Sequence, residues 1–432
     1  MSGKIRLKER DAIIQSLRAG VVPMTGQRLI QVGRVKELEA QLKDIDCIAG
    51  GGSSFKLVIG DYGSGKSFFL NLVRAIALEK KLVTMHADLS PKRRLSAYDG
   101  QARSLYAELS KNMATRAKPD GGALPGIVEK FISQVLIDIK SSGQAAEDLI
   151  RIRLAPLNDM VNGYDFAHVI SQYCKGYQDG NEILQADAVR WLRGEYSTKT
   201  EARQALDVRN IIDDASLYDQ IKLLARFVRI AGYAGLMVSL DEMVNLYKIA
   251  NAQARNTNYE EILRILNDTM QGSSEGLGFV LGGTVEFVTD TRRGLYSYQA
   301  LQSRLAQNTF AVGGLVDYTG PLLRLAGLTA EDFYVLLRNL RHVYASGDPA
   351  AYLIPDEAIE AFMEHCATRL GNSYFQTPRT SITTFINFLA VLEQNPGTDW
   401  APLVGKLDIV KDAGAVGDLL NPADDDLAEF KL

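Results

Sequence analysis

The sequence predicts an α/β protein with a parallel sheet, a large and mostly helical insertion, and a helical C-terminal region. Three observations carry this expectation. Four apolar runs, FKLVIG (55–60), KLVTMHADLS (81–90), GLMVSLDE (235–242) and LGFVLGGT (277–284), have the length and continuity of buried strands. A helix-period segment over 68–81 separates the first two and gives the strand–helix–strand order of a parallel sheet. From 101 to 230 the helical period dominates.

Taken in order, residues 8–19 (KERDAIIQSLRA) place Ile13, Ile14 and Leu17 on one helical face, and Gly20 follows as a stop. GVVPMTGQRLI reads as an extended linker. VGRVKELEAQLKDIDCIAGG spaces Val35, Leu38, Leu42 and Ile45 for a second helix. Inside the insertion, IVEKFISQVLIDIK and LYDQIKLLARFVRIA show the clearest periods, and YEEILRILNDTMQ predicts a helix before the last apolar run. After about 322 three helices are expected: TAEDFYVLLRNLRHVYA, PDEAIEAFMEHCATRL and TSITTFINFLAVLEQ. Thr329, Asp356 (after Pro355) and Thr380 are their caps. The final stretch ends in an acidic run, Asp424 to Asp426, and reads as a tail.

The whole-chain numbers narrow the function classes. With 432 residues the chain is long enough for two or three domains, and 46% hydrophobic with 23% charged residues is ordinary for a water-soluble fold. A net charge of -4 argues against constitutive nucleic-acid binding through the global field. Cys47, Cys174 and Cys366 are far apart and unpaired in spacing, and the four histidines are scattered. That pattern fits a reducing cytoplasm, with the cysteines as small core residues, and supplies no zinc site. The basic N-terminus lacks an apolar h-region, and no run reaches about 18 apolar residues, so neither secretion nor a membrane span is expected.

The strongest chemical signal is GDYGSGKS (60–67), which satisfies G-x-x-x-x-G-K-[ST]. Glycines 60, 63 and 65 permit positive φ and close backbone approach, so successive N–H groups can converge on phosphate oxygens. Lys66 supplies a flexible cation for the β- and γ-phosphates, and Ser67 a hydroxyl for Mg²⁺. The helix starting near Ser67 adds its partial positive charge. An apolar strand runs into the loop and a helix runs out, which is the context this motif requires. Gly60, Asp61, Tyr62, Gly63, Ser64, Gly65, Lys66, Ser67 and Phe68 are therefore the candidate ATP-contacting residues.

GLMVSLDE ends in two acids. A strand tip can place Asp241 beside the loop, where it would hold a Mg²⁺-bound water, and Glu242 could orient or deprotonate the attacking water. About 175 residues separate Lys66 from Asp241, which makes the helical insertion a candidate partner-binding module.

These motifs resemble the AAA+ superfamily of P-loop ATPases. VGRVKEL (32–38) is similar to the box that opens many such modules, especially in the origin-recognition and STAND relatives, where it packs against adenine; Val32, Gly33 and Arg34 are its carriers here. The resemblance implies sensor-1 for Thr284, an arginine finger for Arg304 in SRL (303–305) with Arg292 and Arg293 as rivals, and a sensor-2 arginine for Arg379 in TPRTSI (377–382). A narrower resemblance spans nearly the whole chain: LRAGVVP, VGRVKELE, GDYGSGKSFFL, RWLRGEYSTKTEAR and YAGLMVSLDEM are similar to the bacterial ATP-binding family associated with BREX phage-defence systems. It implies an ATPase acting beside helicase-like and other defence components. Only about 37 residues follow the last helix, too few for a complete winged helix of the initiator type.

The expected organisation is then an N-terminal arm (1–31), an AAA+ α/β nucleotide-binding domain (32–322) with its insertion at about 101–230, a helical lid (323–395) and an acidic tail (396–432). Lys92, Arg93 and Arg94 in PKRRL could touch a DNA backbone or form a solvated loop. In RWLRGEY, Trp191 stands between Arg190 and Arg193, or packs into the insertion core. Three function classes remain: an ATP-driven switch or loader, working as a homo-oligomer on a helicase or other defence protein; a DNA translocase or remodeller; and a structural ATP-binding module.

Overall fold

A computed structural model describes residues 4–142, 145–311, 316–371, 375 and 378–406 of the chain. Its strands are β1 (Ser53–Ile59), β2 (Val83–Asp88), β3 (Leu236–Asp241), β4 (Leu277–Gly283) and β5 (Leu322–Arg324). They form one sheet in the order β2-β3-β4-β1-β5, and every pairing is parallel. Nineteen α-helices accompany the sheet among the described residues. The result is an α/β fold around a parallel sheet, as the alternation of apolar runs and helical periods predicts.

The first four strands coincide with the four apolar runs, and their near-continuous burial explains why those runs do not alternate. The fifth is three residues long, too short to leave a period. It is held beside β1 by a polar device instead. Lys56, in the middle of β1 and only 2% exposed, donates to the carbonyls of Tyr318, Thr319 and Gly320 at 3.1, 3.3 and 2.8 Å. Asp44 completes the arrangement at 3.4 Å; burial raises its pKa, and the Lys56 charge opposes that.

The register decides what meets at the carboxyl ends of the strands. Ile59 is level with Gly283, Leu240 with Leu281, and Asp88 with Asp241. The C-terminal edge of the sheet therefore presents Asp88, Asp241 and the tip of β4, next to the end of β1 from which the glycine loop departs.

By packing, the chain divides into two units. One comprises Val35–Ile59 and Leu70–Arg324, and holds the sheet and the insertion. The insertion joins β2 to β3 through helices that include Gln101–Lys111, Leu124–Ser142, Gly163–Asp179, Glu182–Leu192 and Leu217–Ile230. Trp191 is fully buried against Phe166, and its Nε1 donates to the Asn210 carbonyl at 2.9 Å. Arg190 pairs with Glu201 at 2.6 Å, so the RWLRGEY stretch serves the insertion's own packing.

The other unit gathers the described residues of 1–34, 60–69 and 325–432. Helix Leu7–Arg18 packs on helix Arg379–Gln394, and Arg10 donates to the Tyr344 carbonyl at 2.7 Å while pairing with Glu393 at 3.0 Å. Phe362, Phe385 and Phe388 form its aromatic centre. Within the segment read as an extended linker, Gln27–Ile30 is one helical turn. Thr329 caps its helix in a full capping box with Asp332, as expected. The other two helices begin one and two residues earlier than their expected caps imply: Pro355 and Pro378 stand at the caps, and Asp356 and Arg379 open the helices. In the stretch read as tail, Ala401–Val404 is helical and Val404 is buried. Residues 407–432, with the aspartate run, lie outside the described residues, as does Thr377. Cys174 and Cys366 are buried, but Cys47 is exposed rather than a core residue.

Candidate functional site

The glycine loop leaves β1 at Gly60 and enters helix Lys66–Glu79. Gly63 (φ 75°) and Gly65 (φ 84°) are left-handed, the conformation that turns successive N–H groups inward and that side chains resist. Gly60 is not left-handed, contrary to the sequence expectation. Its requirement is steric, because a Cβ there would stand 2.7 Å from Ser64 Oγ. Lys66 arches back over the loop, and its Nζ donates to the carbonyls of Gly60 and Asp61 at 3.0 and 2.8 Å. The helix it opens has no acid in its first turn. Left-handed glycines, an ammonium held over them and a helix N-terminus with no acid in its first turn are the donor set a polyphosphate needs, so the loop fits ATP.

Two arginines of the same unit touch this loop. Gly33 (φ 60°) and Arg34 (φ 59°) are consecutive left-handed residues, and they deliver the Arg34 guanidinium to the loop's outer carbonyls. Arg34 donates to the carbonyl of Ser64 and, at 3.4 Å, to that of Gly65. A guanidinium spanning two carbonyls braces the loop from behind, a role the VGR motif did not reveal in sequence. Arg379, first residue of its helix, donates from Nη1 to Tyr62 Oη at 3.3 Å. Val32 and Phe68 pack against the helical core of this unit.

At the sheet edge, Asp241 accepts the Glu242 N–H at 2.8 Å, and Glu242 itself is left-handed (φ 56°). A left-handed glutamate costs backbone energy, and such outliers gather where chemistry rather than folding selects the residue. Gly282 on β4 makes room for this corner: a Cβ there would lie 2.4 Å from Asp241 Oδ1. Asp88, level with Asp241, has its pKa raised, first by desolvation and then by the Asp241 charge, with Arg93 opposing. Neither Gly282 nor Asp88 was singled out by sequence reasoning; the DLS after KLVTMHA was the only trace of Asp88. Among the described residues no group of three or more His, Cys, Asp or Glu is arranged to hold a metal. A Mg²⁺ that takes one or two protein ligands and otherwise phosphate and water needs no such group.

Thr284 follows the tip of β4, which lies between β1 and β3. It caps helix Val285–Thr289, accepting the Phe287 N–H at 3.3 Å. Arg304 is exposed and donates to Asn267 Oδ1 at 2.6 Å. Its rival Arg293 is committed internally, donating to the carbonyls of Tyr247 and Ile249 at 3.2 and 3.3 Å. Arg292 is exposed beside Asp290, whose pKa is lowered by the Tyr247 hydroxyl first and by Arg292 among others. In PKRRL, Arg93 pairs with Glu108 at 3.3 Å and only Lys92 of the three basic residues is fully exposed.

The glycine-loop helix is also tied to β2. Arg74 Nη1 lies 3.0 Å from His86 Nδ1, and burial followed by the Arg74 charge lowers the His86 pKa to about 4. His86 is therefore neutral and accepts from Arg74. A cavity of about 680 Å³ opens elsewhere in the sheet-bearing unit, but four acids, Asp99, Asp213, Asp214 and Glu261, line it against a single arginine, Arg103. Its carboxylates would repel a phosphate chain, so it is not the nucleotide site.

A parallel α/β sheet feeding a glycine loop of this conformation is compatible with the P-loop class of nucleotide-binding proteins. No curated protein matches the chain. The family model "BREX system ATP-binding protein BrxC/D" matches residues 5–408, and the chain belongs to that family. No described helix is long and apolar enough to cross a membrane.

Proposed function

We propose that the chain is a cytoplasmic, Mg²⁺-dependent ATPase of the AAA+ type that acts as a switch or loader for partner proteins in BREX antiviral defence. The observation that carries this reading is the shared C-terminal edge of the sheet. There β1 runs into the loop bearing Lys66 and Ser67, and β3, one strand removed, ends in Asp241 and Glu242. Membership in an ATP-binding family supports it.

In this reading the amides of residues 63–67 bind the phosphates, and Lys66 neutralises the outer two. Ser67 and Asp241 would hold the Mg²⁺, which would supply charge neutralisation on the reacting phosphate. Glu242 takes the proton of the attacking water or orients it. Thr284, flanked by both strand tips, positions that water through its hydroxyl. Residues 323–395 act as a lid carrying Arg379, and the insertion receives the partner. Arg304 reaches a neighbouring subunit of a homo-oligomer, exchanging its contact with Asn267 for a phosphate. A finger supplied in trans is worth about 10³–10⁵ in rate.

ATP turnover of the parent, Lys66→Ala and Glu242→Gln, each with and without DNA, tests the proposal. A parent that hydrolyses ATP irrespective of DNA, a Glu242→Gln that binds without hydrolysing, and a Lys66→Ala that loses tight binding are expected. A rate that rises with DNA favours a translocase or remodeller, and a parent that binds without turnover favours a structural ATP-binding module.

A further inference from the structure

The glycine loop carries a tyrosine, Tyr62, between its first and second glycines, and nothing in phosphate binding calls for one. Its ring is 45% exposed, and its hydroxyl accepts the hydrogen bond from Arg379 Nη1 at 3.3 Å. On its other side the guanidinium lies close to the end of the N-terminal helix. Gly20 is left-handed (φ 69°), and a Cβ there would lie 3.2 Å from Arg379 Nε. Thr383, one turn into the same helix, donates to the Leu17 carbonyl at 3.0 Å. The end of the N-terminal helix and the tyrosine thus bracket one arginine.

We propose that Tyr62 is a positioning residue that holds Arg379 against the phosphate loop and yields it to the terminal phosphate of a bound nucleoside triphosphate. The placement supports this. Lys66 Nζ sits on the Gly60 and Asp61 carbonyls, the residues just before Tyr62, and this lysine serves the outer phosphates. Arg379 is therefore tethered on the terminal-phosphate side of the loop. A phenol is a neutral acceptor, whereas a phosphate oxygen is charged and makes a stronger, shorter bond to guanidinium. A triphosphate can take the arginine from Tyr62, but a diphosphate, lacking the outer group, leaves it in place. Tyr62 then sets how much of the third phosphate's binding energy appears as ATP-over-ADP selectivity. Gly20 keeps the space in which the guanidinium moves.

This inference rests on the nucleotide-site reading above, so the experiment separates the two. Mg·ATP and Mg·ADP are titrated against the full-length parent, Lys66→Ala, Tyr62→Phe, Arg379→Ala and the Tyr62→Phe/Arg379→Ala pair. Tyr62→Phe is expected to bind ATP about three- to tenfold more tightly, with ADP unchanged. Arg379→Ala should lose the preference for ATP, and adding Tyr62→Phe to it should change nothing further. Equal shifts for ATP and ADP, weaker ATP binding by Tyr62→Phe, or an effect of Tyr62→Phe that persists without Arg379 would overturn the positioning role while leaving the site intact. A parent that binds neither nucleotide, or a Lys66→Ala that binds like the parent, would remove the nucleotide site and this inference with it.

Discussion

Gly282 and Asp241 face each other across adjacent parallel strands so closely that a Cβ on Gly282 would lie 2.4 Å from Asp241 Oδ1 and 2.7 Å from Leu70 Cδ1. The carboxylate occupies the space that the glycine leaves. Gly282→Ala should therefore displace Asp241 and overpack the strand, destabilising the fold by about 1–3 kcal/mol. ATP turnover should fall at least about tenfold, with partial recovery at high Mg²⁺. A steady-state assay across Mg²⁺ concentrations, beside a thermal melt, checks both outcomes.

Glu242 sits in a conformation that glycine adopts freely, so its two duties can be separated. Glu242→Gly should abolish hydrolysis yet leave the protein as stable, or more stable by up to about 1 kcal/mol. Denaturant unfolding and turnover on the same preparation measure this. A strongly destabilised variant would mean that the glutamate is structural.

Arg34 braces the loop through the Ser64 and Gly65 carbonyls. Arg34→Ala should weaken ATP and ADP alike by about tenfold, the loss of a charge-assisted bond that keeps the loop in shape. Equilibrium titration with both nucleotides reads the effect, and a loss confined to ATP would count against a brace.

His86 links stability to pH. Its folded pKa, about 4, lies below the unfolded value of 6.5, because burial and then Arg74 disfavour the imidazolium. Between those values the unfolded chain binds the extra proton, so stability rises with pH and is lost as pH falls from 6.5 towards 4. The loss from this group is at most about 3 kcal/mol. Unfolding free energies at pH 7 and 5 should differ less in His86→Asn, whose side-chain oxygen can still accept from Arg74.

The arginines proposed for trans contact should part company on stability. Arg293→Ala leaves two backbone carbonyls without their donor and should cost about 1–3 kcal/mol. Arg304→Ala should leave the melt unchanged and flatten the dependence of ATP turnover on protein concentration. If Arg304→Ala turns over like the parent at every concentration, the finger lies elsewhere.

Much of this was legible in the chain itself, and the exceptions share a cause. Long apolar runs declared β1 to β4, because a strand buried on both faces must be apolar throughout. The glycine loop declared itself because its spacing is dictated by phosphate geometry. β5 left no trace, since three residues are too few to show a period. Gly282 and Asp88 were silent because their meaning depends on which strand lies beside which. Arg34 was noticed, but its task came from two successive left-handed residues that sequence alone does not announce. Thr284 and Arg304 were named from motifs, and their bonds here are those of a helix cap and of contacts with Asn267 and the Ala300 carbonyl.

Lys66 is held over the loop by two backbone carbonyls, which fix where its positive charge stands. A visiting polyanion meets an ammonium already steered into place. Inorganic pyrophosphate, which has no base or sugar, should therefore displace nucleotide from this protein, whereas a single-phosphate anion of similar charge density should compete poorly.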